Sequence, residues 1–408
     1  MNKFMYKRLL LVTTIIVFLF TFTVKIVAGG KPDCHYTVVI SLDGFRWDYP
    51  QWYNTPFFDY MEKKGVAGAI VPSFPSKTFP NHYTLATGLY PDHHGIVANK
   101  FYDRKNNCVF DLGDSVTKFE QRYYCGEPIW LTAQRQGLHT AEIYWPGSDV
   151  PVGGKYPDSY YKYDAKPQLT FKQRAERIIE QLRMPKSKRP RLIMAYFEQP
   201  DGNGHNYGPQ NKRTGKVVME MDSLVNGIWN EIQQLPIADD INLIVTSDHG
   251  MTSISNQRTV PVMKYLKRKW IERVDGDLPG LIYTRKGYAD SVVLALHDVP
   301  HLKAWKREDI PAYLHYGSNP MIGDVVALPD LGWLFTDDTI KSCGSHGFDP
   351  SYSDMHAMFR AIGPDFKQGY SKEQHFKNVD LYPLLSRLLG IDPAKNDGDL
   401  DEVIDLLK

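Results

Sequence analysis

Ile241-Asn242-Leu243-Ile244-Val245-Thr246-Ser247-Asp248-His249-Gly250 is an apolar, β-branched run closed by a carboxylate, an imidazole and a glycine. A short run of that composition reads as a buried strand rather than a helix. Asp248 and His249 fall at its carboxyl end, where open α/β sheets bind their ligands. An Asp-His pair by itself is an ordinary turn, so the reading depends on whether other segments repeat the pattern. Tyr36-Thr37-Val38-Val39-Ile40-Ser41-Leu42 repeats it and ends at Asp43-Gly44. Arg191-Leu192-Ile193-Met194-Ala195-Tyr196-Phe197 repeats it again and ends near Asp201. Between these runs, Phe171 to Arg183 and Val217 to Leu235 carry apolar residues at helical spacing. Strands alternating with helices predict an α/β protein whose central sheet is mostly parallel and flanked by helices. A leucine-rich end, Asp380 to Lys408, predicts a last helix closing the sheet.

Two regions interrupt the alternation. Asn99 to Tyr124 is polar with two cysteines, and Pro146 to Gln168 is rich in Gly, Pro and Tyr. Both read as excursions that form the walls of a site. With 408 residues and no internal linker, residues 31–408 are expected to form a single domain. The formal charge of +1 gives no case for a nucleic-acid-binding surface, and a monomer is expected. Lys3, Lys7 and Arg8 precede an apolar stretch from Leu9 to Val24, with Ala28, Gly29 and Gly30 beyond it. Residues 1–30 therefore read as a signal peptide, or alternatively as a signal anchor. Either reading exports the rest of the chain, and any membrane contact is confined to that segment. Four cysteines fit export: Cys108 and Cys125 are the pair expected to form a disulfide, while Cys34 and Cys343 stay open.

Asp201-Gly202-Asn203-Gly204-His205 spaces a carboxylate and an imidazole so that one helical turn would put them on one face. The two glycines leave a non-helical turn open as well. Gly344-Ser345-His346-Gly347 sets a histidine where the backbone can approach closely. Asp43, Asp201, His205, Asp248, His249 and His346 then make a mixed oxygen and nitrogen set, which suits zinc better than calcium or magnesium. The set exceeds what one tetrahedral ion needs and suits two with open positions. Pro75-Ser76-Lys77-Thr78-Phe79-Pro80-Asn81-His82 supplies a nucleophile. Pro80 suits a first helical turn, which places Thr78 just before a helix amino terminus where negative charge is favoured. Thr78 is otherwise only a helix cap, and Ser76 competes with it as nucleophile.

These segments resemble, in order from residue 35 onward, the catalytic domain of the nucleotide pyrophosphatase/phosphodiesterase family within the alkaline phosphatase superfamily. The matching stretches are Leu42 to Phe45, Lys77 to His82, Thr87 to Pro91 with His94 to Asn99, Gly126 to Trp130, Trp145 to Asp149, Glu198 to Asp201 with Gly204-His205, Ser247 to Met251, and Gly344 to Gly347. The resemblance implies an alkaline-phosphatase-like fold and two Zn2+ ions. Asp201, His205 and His346 would hold one; Asp43, Asp248, His249 and the Thr78 oxygen would hold the other. It implies that Thr78 attacks phosphorus and forms a covalent phosphoester, with Asn99 and a backbone N–H near Thr78 receiving a phosphoryl oxygen. Phe79 and Tyr163 match positions whose rings sandwich a nucleobase, and Leu112, Lys118, Trp145 and Asp149 match other pocket positions. The match of Lys118 assumes one inserted residue, and Cys125 is a departure before Gly-Glu-Pro. The implied substrates are nucleoside triphosphates, dinucleotides and related phosphodiesters, cleaved to nucleoside 5'-monophosphates. A phospholipid head-group phosphodiesterase is the alternative. A metal-dependent phosphomonoesterase or phosphomutase fits less well, because those enzymes typically use serine and basic contacts, and no basic cluster adjoins the motifs.

Overall fold

Every residue of Tyr36–Leu42, Leu192–Phe197 and Ile241–Thr246 is buried. Strands with no exposed face need cover on both sides, and helices provide it. The computed structural model describes residues 34–408. The signal-peptide or anchor segment lies outside the described residues. The central-sheet strands are β1 (Tyr36–Leu42), β2 (Val66–Val71), β3 (Thr140–Ile143), β4 (Ser159–Tyr161), β5 (Leu192–Phe197), β6 (Ile241–Thr246), β7 (Ala357–Ile362), β8 (Tyr370–Ser371) and β9 (Phe376–Lys377). Their order is β8-β2-β7-β6-β1-β5-β3-β4, with β9 also on β2. From β6 to β4 the sheet is parallel. β7 runs antiparallel to both β6 and β2.

The principal helices are α1 (Pro56–Lys64), α2 (Thr78–Thr87), α3 (Ile129–Arg135), α4 (Phe171–Leu182), α5 (Asp201–Tyr207), α6 (Lys212–Gln233) and α7 (Leu381–Leu388). Alternation along β1 divides the cover. Val38, Ile40 and Leu42 pack with Phe58 of α1, Ile178 of α4 and Val225 of α6. Val39 packs on the other face with Tyr83 of α2, Trp130 of α3 and Leu384 of α7. The helix starts follow local chemistry. Thr170 and Gln173 form a capping box ahead of α4, and the Asn211 side chain accepts from Arg213 N–H ahead of α6.

Several expectations need correction. Helix α2 begins at Thr78, not after it; Pro80 is tolerated because first-turn N–H groups have no intrahelical partner. The segment Pro146 to Gln168 is not wholly an excursion, since it contributes the edge strand β4. The carboxyl-terminal helix is only Leu381–Leu388, and it joins the cover of the sheet by packing on α2 and α3. Beyond it the chain is held by turns, with Asp397 N–H on Gly88 O and Asp399 N–H on Asp380 Oδ1. A smaller antiparallel sheet went unforeseen; its order is Ile271–Asp275, Gly280–Thr284, Val325–Pro329, Leu302–Lys306. Cys108 and Cys125 do not form the expected bridge. Cys108 Sγ lies 3.1 Å from Tyr123 Oη and 3.2 Å from Arg122 Nη2, whereas Cys125 is exposed beside Gly95. The short turns Thr117–Phe119 and Gln121–Tyr123 intervene, so closeness in sequence does not bring the sulfurs together. Among the described residues no helix is long and apolar enough to cross a membrane.

Glu142 on β3 is buried, and neither carboxyl oxygen has a hydrogen-bond partner among the described residues. Burial pushes its pKa well above the usual carboxylate range. The unfolded chain releases this proton near the ordinary value while the folded protein keeps it, so stability falls as pH rises from there toward the folded pKa. Glu142→Met should therefore raise the unfolding temperature, and more at pH 8 than at pH 5, the gain growing by about 1.4 kcal/mol per pH unit in that window. Thermal unfolding at both pH values checks this; an equal shift at both would contradict it.

Candidate active site

Strands β1, β5 and β6 pair in register, with Ser41 opposite Tyr196 and Thr246. The residues that follow these strands therefore meet at one sheet edge. Asp43 follows β1, Asp201 opens α5 just beyond β5, and Asp248 and His249 follow β6. Gly44 lets them converge. It has φ of 66°, and a Cβ there would stand 2.9 Å from Asp201 Cβ, so a side chain would displace Asp201. Asp201-Gly202-Asn203-Gly204-His205 is helical, not a loose turn. Gly204 belongs there because a Cβ would meet Met251 Cε at 2.9 Å. One turn apart on that helix, His205 Nε2 lies 3.4 Å from Asp201 Oδ1. His346, after the bridge of Gly344–Ser345 to Thr252–Ser253, brings its Nε2 to 3.1 Å from His205 Nε2 and 3.5 Å from Asp201 Oδ1.

The second group is more deeply buried. His249 Nε2 lies 3.0 Å from Asp248 Oδ2, 3.5 Å from Asp43 Oδ1 and 3.2 Å from Thr78 Oγ1. The His249 and His346 rings stack at 3.5 Å, joining the two groups. Within each group the candidate ligand atoms lie within 4.8 Å of one another.

The histidines' outer contacts set what they offer inward. Nδ1 of His205 meets Gly344 O, that of His346 meets Ser76 O, and that of His249 meets Gly250 O, at 2.8, 2.8 and 2.9 Å. A carbonyl only accepts, so each Nδ1 carries the hydrogen, and in the neutral ring each Nε2 presents a lone pair inward. Among the described residues, Asp43 Oδ1, Asp201 Oδ1 and Asp248 Oδ2 are buried without a hydrogen-bond partner. Their other oxygens are anchored in two cases: Tyr196 donates to Asp43 Oδ2 at 2.6 Å, and Gly44 N–H donates to Asp248 Oδ1 at 3.1 Å. Inward-facing acceptors without donors fit divalent cations, and the mixed N/O set fits zinc.

The titration behaviour follows from this crowding. Burial, then Asp248 and Asp201, push Asp43 well above its usual range. Burial also opposes the charged form of Asp248, but His249 and His82 beside it hold it well below the usual range. Burial works against an imidazolium at His249, and the Asp248 carboxylate overcomes it. His346 is driven well below its ordinary value by burial, His249 and Lys77, which keeps its lone pair available.

Thr78, at the first turn of α2, faces this group. Ser76 is already used: its hydroxyl donates to Phe348 O and accepts from Gly347 N–H. Asn99 Oδ1 accepts from Phe79 N–H at 3.1 Å, which orients Asn99 and leaves its amide NH2 as the donor beside Thr78. Three residues had no role in the sequence reading. His82 Nδ1 touches Thr78 O at 3.0 Å and Asp248 Oδ2 at 3.3 Å. Tyr196 lay hidden in an apolar strand. Lys77, a single cation where no basic cluster was expected, is desolvated near Asp277 and Asp201.

Thr78 also lines a cavity of about 150 Å³. Phe79, Leu112, Lys118, Trp145, Asp149 and Tyr163 all line it, together with Phe119, Tyr144, Pro146, Asp164 and Tyr196. Lys118 Nζ pairs with Asp164 Oδ2 at 2.5 Å. Burial pushes Asp149 up to about 6. The structure thus gathers the predicted pocket positions into one concavity beside the predicted nucleophile.

An α/β sheet with a hydroxyl and two ligand groups at its carboxyl edge defines a hydrolase of the alkaline phosphatase superfamily. Residues 37–349 match the family model of type I phosphodiesterase / nucleotide pyrophosphatase, and the chain belongs to that family. Human ectonucleotide pyrophosphatase/phosphodiesterase family member 5 is 37% identical over 92% of this chain and 79% of its own length. Human family member 1 is 35% identical over 91% of this chain, which spans 42% of that longer protein. An inactive variant of murine ectonucleotide pyrophosphatase/phosphodiesterase 5, solved in complex with AMP, superposes with a TM-score of 0.86 at 35% identity, over 92% of this chain and 100% of that one.

Exhaustive chelation should lower the unfolding temperature by about 5 °C or more, because the inward acceptors then face one another uncompensated, and Zn2+ should restore it. Asp201→Ala and Asp248→Ala should each lose part of the bound metal, measured by elemental analysis. An unfolding temperature indifferent to both chelator and Zn2+ would mean that these atoms hold no ion.

Proposed function

We propose that this chain is a two-zinc phosphodiesterase that cleaves nucleotides to nucleoside 5'-monophosphates through a covalent Thr78 intermediate. The observation that carries this reading is the position of Thr78 Oγ1, 3.2 Å from His249 Nε2 at the mouth of the aromatic cavity. Asp201, His205 and His346 would hold one ion, and Asp43, Asp248, His249 and Thr78 the other. The ions would supply Lewis acidity, lowering the hydroxyl pKa and neutralising charge on the phosphoryl and leaving oxygens.

Thr78 Oγ1 attacks phosphorus in line. The new O–P bond forms as the bond to the leaving oxygen breaks, and water later cleaves the phosphothreonine to free Thr78 and the monophosphate. His82, held by Ser41 Oγ at 2.8 Å, fixes both the Thr78 carbonyl and Asp248, keeping nucleophile and ligand in one frame. The Asn99 amide donates to a non-bridging oxygen. Phe79 and Tyr163 offer rings for a base, with Leu112, Lys118, Trp145 and Asp149 completing the pocket. The AMP complex of the murine relative supports a nucleotide in this cavity. The ectoenzyme names of the relatives support export of residues 31–408 as one catalytic domain.

Thr78→Ala should lower kcat on ATP and on bis(4-nitrophenyl) phosphate by at least about 10³-fold while AMP still binds. Phe79→Ala should raise KM for ATP about tenfold and leave the small diester little changed. Product identification by mass, with lysophosphatidylcholine as a parallel substrate, separates this reading from a phospholipid one. Release of phosphocholine without any AMP from ATP would reject it.

A further inference from the structure

We infer that Arg174 is a positioning residue that ties the aromatic wall of the cavity to the ligand groups at the sheet edge. Arg174 lies on α4, outside the cavity, and is 2% exposed. Its guanidinium holds two segments, the one before α4 and the end of β5. Nε donates to Leu169 O at 3.2 Å. Nη1 donates to Tyr196 O at 3.1 Å and to Glu198 Oε2 at 2.5 Å, and Nη2 donates to Glu198 Oε1 at 3.2 Å. The guanidinium carbon stands 4.5 Å from the Tyr144 ring centroid.

Each contact leads into the site. Tyr144 has φ of 63°, a left-handed conformation that a side chain larger than glycine adopts only when its surroundings impose it. Arg174 bears on its ring, and Leu169 N–H donates to its hydroxyl at 2.7 Å. The Tyr144 ring meets Tyr163 edge-on at 5.3 Å, and so backs the ring proposed to face the base. Tyr196, whose carbonyl Arg174 holds, donates its hydroxyl to Asp43. Glu198 starts the turn that delivers Asp201. An apolar residue could fill the same volume without desolvating a charge. Only a planar fork of donors can fasten these segments together at fixed spacing.

The inference rests on the nucleotide reading for its base-pocket arm and on the ligand geometry for its metal arm. The test uses the zinc-loaded full chain, with AMP affinity by calorimetry and zinc retention against a graded chelator. Arg174→Lys keeps the charge and loses the fork. It should weaken AMP binding and lower the half-stripping chelator concentration, each by about tenfold. Tyr144→Phe removes only the tether to Leu169 and should weaken AMP about fivefold with zinc retention unchanged. Glu198→Gln should weaken zinc retention several-fold while AMP affinity stays within about twofold.

The inference is overturned if Arg174→Lys lowers the unfolding temperature yet leaves both readouts at wild-type values. It is equally overturned if Tyr144→Phe and Glu198→Gln affect both readouts alike. Should Arg174→Lys fail to fold, the separation between those two variants decides. If the wild-type chain hydrolyses bis(4-nitrophenyl) phosphate but neither binds AMP nor cleaves ATP, the nucleotide reading fails. Zinc retention in Arg174→Lys and Glu198→Gln then still judges the metal arm.

Discussion

Three carboxylate oxygens and three imidazole lone pairs converge at one edge of the sheet without donors among them. Left alone, such a cluster is repulsive in a medium where charge is poorly screened. Much of the surrounding structure keeps it assembled. Tyr196, Gly44 and Ser247 anchor the outward carboxylate oxygens, and backbone carbonyls hold the outer nitrogens of the histidines. Gly44 and Gly204 remove the side chains that would keep strand ends and helix apart. The site is therefore suited to positive charge, and its rigidity comes from groups outside the two ligand sets.

The same edge explains why the Thr78 hydroxyl and the pocket lie together. Helix α2 starts at Thr78, so its first turn presents the hydroxyl to the inner ligand group and the Phe79 ring to the cavity. His82, one turn further on, returns to grip Asp248. One short helix thus sets the Thr78 hydroxyl, the His82 contact to Asp248 and the Phe79 ring, and a shift of that helix would disturb all of them.

Much of the site was legible in the chain because parallel strands end in step. A charged or imidazole residue directly after an apolar run is carried to the same edge whatever the loops do, which is why Asp43, Asp248 and His249 could be read. Asp201 and His205 were legible as a helical pair, although the glycines between them left the helix in doubt until Gly204 was seen packed beneath Met251. His82, Tyr196 and Arg174 carry no such signal. Tyr196 reads as one more strand residue, and Arg174 as one more polar position on an amphipathic helix. The bridge expected between Cys108 and Cys125 failed for a related reason: sequence separation does not say which way two side chains point.

The sequence by itself determined the α/β alternation, the strand-end ligands and the Thr78 segment, because burial periodicity and chain order are local properties. Only the tertiary structure decided that β7 enters antiparallel, that Pro146 to Gln168 lends an edge strand, and that Arg174 stacks on Tyr144, whose ring meets Tyr163. Those outcomes depend on contacts between residues far apart in the chain. Their free energy comes from shape and directed hydrogen bonds, which no single stretch of sequence contains.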